Sequence, residues 1–317
     1  MGSQDSFKYQ LTFQEQERTF NMDNKQMQIR KAILDKSWII CVVAVIGALI
    51  SAILMPDKGP IPAFVIMFFF AIVHGNARYG WKNMLIFFAI YFVLSMCLET
   101  CSTITGFPFG AYSYTAVENS GNVSFGVGIF YFDLGYLSWT IASILLDGAD
   151  WRLDKKINLF AMPIVASTVM TVVDLATDFT SSTVQHIWNW GEGGGFYGVP
   201  YTNFLGWSFV TWLCAQVFAF VLRRQQENIL PTHNKRNFLW PVLAYGSMGL
   251  NLIIVYFVPG ETGTVMDERG VAWQISDMRE AALLIAFYTV VFIAVLALFK
   301  MGRGDLKEKP DQEIANQ

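Results

Sequence analysis

Apolar runs about 20 residues long recur along the chain, each able to cross a bilayer as one α-helix. Eight are read: Trp38–Met55, Ile61–Gly75, Trp81–Leu98, Val123–Leu146, Ile157–Phe179, Phe204–Leu222, Phe238–Val258 and Ala281–Lys300. The second is the shortest. Hydrocarbon offers backbone N–H and C=O groups no water, so such a chain folds as helices, with irregular backbone only where protein or a cavity surrounds it. The expected fold class is therefore all-α: a polytopic integral membrane bundle of about eight transmembrane helices. Of 317 residues, 54% are hydrophobic and 15% charged, against about 25% charged in soluble domains. A net charge of −3 excludes a basic nucleic-acid binder. Cys41, Cys97, Cys101 and Cys214 lie mostly in apolar runs without a CxxC pair, which suits small core hydrophobes better than disulfides or zinc.

Charge sets the orientation. With the N-terminus inside, 19 of the 22 lysines and arginines fall on the inner side, leaving Lys58, Arg269 and Arg279 outside. That is the bias of cytoplasmic loops, and it places both termini in the cytoplasm, as in the cytoplasmic membrane of a prokaryote. Residues 1–37 read as a polar N-terminal arm, 38–300 as one transmembrane catalytic domain and 301–317 as a polar tail. Phe13, Phe20, Met27 and Ile33 are spaced to mark an amphipathic surface helix, with a disordered arm as the alternative.

Two outer loops do not read as linkers. One runs from Glu99 through Gly106-Phe107-Pro108-Phe109-Gly110 and Tyr112-Ser-Tyr114 to Asn122. The other runs from Ser181 through His186-Ile-Trp188-Asn-Trp190 and Gly193-Gly-Gly195-Phe-Tyr197 to Asn203. Both lack Lys and Arg and are dense in aromatics and glycine. An interfacial aromatic belt accounts for the Trp and Tyr but not for the glycines and prolines, which mark tight turns and close backbone approach. The expectation is a pair of lid-like segments over an intramembrane pocket. The glycine run lacks the strand and helix that a dinucleotide fingerprint requires, so no cofactor is expected.

Ionisable groups inside spans are rare and usually functional. Asp174 and Asp178 stand four apart on the fifth span, on one helix face about 6 Å from each other. Both fall at its outer end, where Glu99 closes the third span. Two close carboxylates in a low-dielectric place do not comfortably both ionise, and one that keeps its proton can act as a general acid. Asp133 lies nearer the midplane. His186 is placed to relay a proton, whereas His74 and His233 read as ordinary inner-end residues. Asn251 reads as an interhelical hydrogen-bonding group. Three scattered His exclude a histidine-box diiron centre, and no metal site is expected.

The two loops with Asp174-Leu…Asp178 and Asn203-Phe-Leu-Gly-Trp207 resemble the carotenoid biosynthesis membrane protein family, over roughly residues 38–300. The chain departs from it at Thr177-Asp178-Phe179, where the family usually has Leu-Asp-Pro, and in a longer stretch at Glu192–Gly195. The resemblance implies cofactor-independent hydration of a terminal trisubstituted C=C in an acyclic carotenoid, giving a tertiary alcohol. Asp174 and Asp178 are then the expected acid pair, with Glu99 assisting. Tyr112, Tyr114, Trp188, Trp190 and Tyr197 are expected to face the carbocation, since aromatic rings attract cations. Asn203 is expected to orient water, and Phe107, Phe109, Asp133 and His186 to contribute to substrate binding. The expected partners are a membrane-embedded carotenoid or related polyisoprenoid, the lipid bilayer and other pigment-pathway enzymes, with no nucleic acid. Three rivals stand: an acid-initiated cyclase, a prenyltransferase holding Mg²⁺ on the Asp pair, and a non-enzymatic lipophile carrier or transporter.

Overall fold

A computed structural model describes residues 24–56, 61–115, 123–230 and 236–303. Phe13, Phe20, His233 and residues 304–317 of the C-terminal tail lie outside the described residues. The chain is a helical membrane bundle. Helix α1 (residues 24–36) leads through one turn residue into α2 (Trp38–Leu54). There follow α3 (Ile61–Tyr79), α4 (Trp81–Thr105), α5 (Phe125–Leu145), α6 (Lys156–Phe179), α7 (Tyr201–Arg223) and α8 (Arg236–Phe257). The last span is α9 (Ile275–Ile285), a π-helical turn (Ala286–Val291) and α10 (Phe292–Arg303). Among the described residues, seven helices are long and apolar enough to cross a membrane, with the shorter apolar helix at Phe64–Tyr79 between the first two.

Two helix ends differ from the apolar runs. The run after Leu98 turns polar, yet α4 continues to Thr105, because Thr103 and Thr105 bond back to the carbonyls of Thr100 and Cys101. It stops at Gly106, whose φ of +79° is the left-handed conformation glycine supplies. Helix α7 starts at Tyr201, immediately after Pro200. Glu99 and Asn203 are therefore helix residues, held more rigidly than loop residues would be.

Helix α5 is the core of the bundle. Every residue from Tyr131 to Ile144 is buried, and the helix packs on α3, α4, α6, α7, α8 and α10. Its small residues make this possible: a Cβ at Gly135 would lie 2.2 Å from the Tyr91 ring. By contrast α2 turns Ile39, Val43, Ile46, Ile50 and Ile53 outward as an exposed apolar face. Asn251 ties α8 to α2, donating to the Ala48 carbonyl at 2.6 Å, as its isolation in a span leads one to expect.

The inner end is locked by a buried ion pair. Asp150, in a 3-10 turn (Ala149–Trp151), accepts from Arg78 and Tyr79 at 2.8 Å each and from Ser143 at 2.7 Å. Burial works against its ionisation, but the Arg78 charge and these hydrogen bonds hold its carboxyl below the usual carboxylate range. His74, also buried, bonds the Asn237 carbonyl and the Tyr136 hydroxyl.

Candidate functional site

The two aromatic loops pair with each other across the outer end. Strand β1 (Tyr112–Tyr114) runs antiparallel to β2 (Trp188–Trp190), with Tyr112 opposite Trp190 and Tyr114 opposite Trp188. Cross-strand aromatic pairs stabilise such a short ladder: the Tyr112 and Trp190 ring centroids are 5.1 Å apart. Tyr112 and Trp190 are buried, Tyr114 and Trp188 half-buried.

Beneath this ladder lie the three carboxylates. Glu99, Asp174 and Asp178 are 5%, 7% and 1% exposed, so all three are out of bulk solvent. Asn203, one turn into α7, donates from a single amide nitrogen to Asp174 Oδ2 at 2.9 Å and to Asp178 Oδ2 at 2.5 Å. The spacing of four on α6 and the tight contact of α6 with α7 produce this bridge. Asn203, expected to orient water, has its amide nitrogen engaged by the acid pair. Trp188 and Trp190 both point their indole N–H at Asp178 Oδ1, at 3.3 and 3.4 Å. Tyr112 donates to Glu99 Oε2. Burial, with the neighbouring Glu99 charge, pushes the Tyr112 and Tyr114 hydroxyls far above the ordinary phenol range, so both remain donors. Among the described residues, no Lys or Arg forms an ion pair with any of the three carboxylates. No group of three or more His, Cys, Asp or Glu among them could hold a metal ion.

Helix α6 passes directly into a π-helical turn, Thr180–Val184, a feature frequent at functional sites. Ser182 in that turn bonds back to the Asp178 carbonyl at 2.9 Å. Trp188 and Trp190 also line a cleft of about 10 Å³ together with Ser182, Thr183, His186, Asn189 and Asp267 among others. That is room for about one water. His186 stands exposed at this cleft with a φ of +49°, a conformation that carries strain outside glycine.

The remaining expected residues are placed differently. Tyr197 packs on Phe179 and on Trp273. Phe109 is buried on Trp207, while Phe107 is 57% exposed and packs on Phe209. Asp133 is not gathered into the cluster. It is 1% exposed, and neither carboxyl oxygen has a hydrogen-bond partner. The structure also adds what sequence reasoning missed. The outer loop between α8 and α9 forms a hairpin of β3 (Thr264–Met266) and β4 (Ala272–Gln274), and its Asp267 closes the cleft wall. Its charged sequence resembles an ordinary linker. The signal was Trp273, whose indole bonds Asp267 at 3.0 Å. Tyr131 is the second omission: a buried phenol beside Glu99 and Asp174, hidden in an apolar span.

Comparison with known proteins bears on this geometry. A family model described as "Carotenoid biosynthesis protein" matches residues 61–266, a stretch that includes Glu99, β1, Asp174, Asp178, β2 and Asn203. No curated protein and no solved structure matches the chain.

Proposed function

The chain belongs to the carotenoid biosynthesis protein family, and from that premise we propose that it hydrates the terminal trisubstituted C=C of an acyclic carotenoid. The observation that carries this reading is the Asp174–Asp178 pair: two carboxyls buried at the outer end of a span, bridged by one amide, with only neutral donors around them. Like charges so close in a low-dielectric site favour a state in which the pair holds one proton. That proton passes to the less substituted alkene carbon, forming a C–H bond and leaving a tertiary carbocation. The rings of the ladder, Tyr112, Tyr114, Trp188 and Trp190, face the developing charge and stabilise it by cation–π attraction, about 2 kcal/mol for a desolvated ring. Water forms the new C–O bond, and Glu99 takes the proton it releases. The proton then returns to the pair through solvent, so the cycle consumes only water.

A polyene lives in the bilayer and reaches the carboxylates from the lipid side, while water is supplied from the small cleft that Trp188 and Trp190 line with Ser182 and Asp267. The chain takes part in carotenoid biosynthesis; hydration is the finer step proposed here. The test is expression in a host that makes an acyclic carotene, followed by mass analysis of the pigment. A gain of one water per reacted end is expected. An isomeric ring product would assign the same acid chemistry to a cyclase, and unchanged pigment would overturn the hydratase reading.

A further inference from the structure

Tyr131 sits on the central helix α5 with none of its surface exposed. Its ring lies flat on Trp207, with centroids 4.5 Å apart and planes within 3°, which fixes the direction of its hydroxyl. That hydroxyl lies beside Glu99 at the margin of hydrogen-bond reach, and close enough to Asp174 and Tyr112 to interact with each electrostatically, yet it completes no hydrogen bond of ordinary geometry. Buried hydroxyls are nearly always bonded, so an orphan aimed into a cluster of acids calls for an explanation. The neighbouring groups are already engaged: Glu99 accepts from Tyr112, and the aspartates accept from Asn203 and the two indoles. A phenol offers one donor and two acceptor positions, so the Tyr131 hydroxyl keeps capacity for a further partner beside Glu99.

Resting on the hydratase reading above, we propose that Tyr131 holds the water that captures the cation. The water donates one hydrogen to the Tyr131 oxygen and the other to Glu99, which leaves an oxygen lone pair for the carbon. As the C–O bond forms, the O–H bond facing Glu99 breaks and its proton passes to that carboxylate. Tyr131 itself neither gains nor loses a proton. Its function is to keep a nucleophile beside a cation that would otherwise return its proton to the pair.

The experiment is Tyr131→Phe, assayed in deuterated water with an acyclic carotene. Phenylalanine keeps the stack on Trp207, and removing an orphan hydroxyl is close to neutral for stability. The thermal transition should therefore match the wild type. Hydrated product should fall at least tenfold. Deuterium should still enter the recovered alkene, because protonation and its reversal need only the acid pair. Equal loss of deuterium uptake and hydration would overturn the proposal by moving Tyr131 to the protonation step. A lowered thermal transition, or a variant that fails to fold, would overturn it by making the hydroxyl structural. Undiminished hydration in the variant would sink the role of Tyr131 alone. A wild-type protein that neither hydrates nor exchanges would sink the hydratase reading itself, and this inference with it.

Discussion

Buried carboxylates sit at both ends of this bundle, in opposite company. At the inner end Asp150 meets a guanidinium 2.8 Å away, with a phenol and a hydroxyl completing its shell. At the outer end Glu99, Asp174 and Asp178 meet an amide, two indoles and a phenol, all neutral. The first arrangement fixes a charge in place and fastens α3 to the turn after α5. The second leaves negative charge uncompensated, and a proton is the cheapest compensation at membrane depth. Burial alone therefore does not mark a catalytic carboxylate. The nature of its nearest donors separates a clamp from an acid.

The comparison is broken most sharply by removing a carboxyl at each end. Asp178→Asn should reduce product at least about 100-fold, the scale of a lost general acid, with membrane yield and helicity unchanged. Wild-type turnover would remove Asp178 from the chemistry. Asp150→Ala should do the reverse, lowering stability by about 3–5 kcal/mol because the buried Arg78 charge loses its carboxylate. Thermal unfolding in detergent reads this, and turnover per folded molecule should hold. Acid separates the ends further. Because the folded Asp150 carboxyl lies below its unfolded range, its contribution is complete above about pH 4. It is lost as pH falls through the depressed folded value. An Asp150→Asn protein should lack that acid-side slope. The smallest effect is expected from Trp190→Phe, which keeps the ring but removes one donor from Asp178. About tenfold slower turnover is expected, the worth of one hydrogen bond to a charged acceptor. An unchanged rate would show that Trp188 alone suffices.

Much of this contrast was legible in the sequence. The helices follow the apolar runs within a few residues, because hydrocarbon imposes length and polarity together. Glu99, Asp174 and Asp178 stood out as acids at the outer ends of those runs, and the positive-inside count brought them to one face. Other features were not legible for physical reasons. The pairing of β1 with β2 is a long-range contact between three-residue strands, too short for a periodic signal. Helix α5 carries Asp133, Gly135, Ser138 and Thr140, which mark a helix buried in protein on all sides, but composition alone does not say which neighbours it meets. Arg78 counted only as an inner positive charge, and nothing in the chain pairs it with Asp150 before the turn at Ala149–Trp151 folds. The orphan hydroxyl of Tyr131 exists only as a geometric fact, since one tyrosine among apolar neighbours reads the same whether it is bonded or not.

The central claim is that a proton held at the outer acid pair is delivered to carbon. Its most direct test is the position of the label when purified protein in lipid turns over an acyclic carotene in deuterated water. One carbon-bound deuterium next to the new tertiary alcohol, absent with Asp178→Asn, is the expected result. A hydrated product without deuterium at that carbon, or one labelled equally by the variant, would contradict the account.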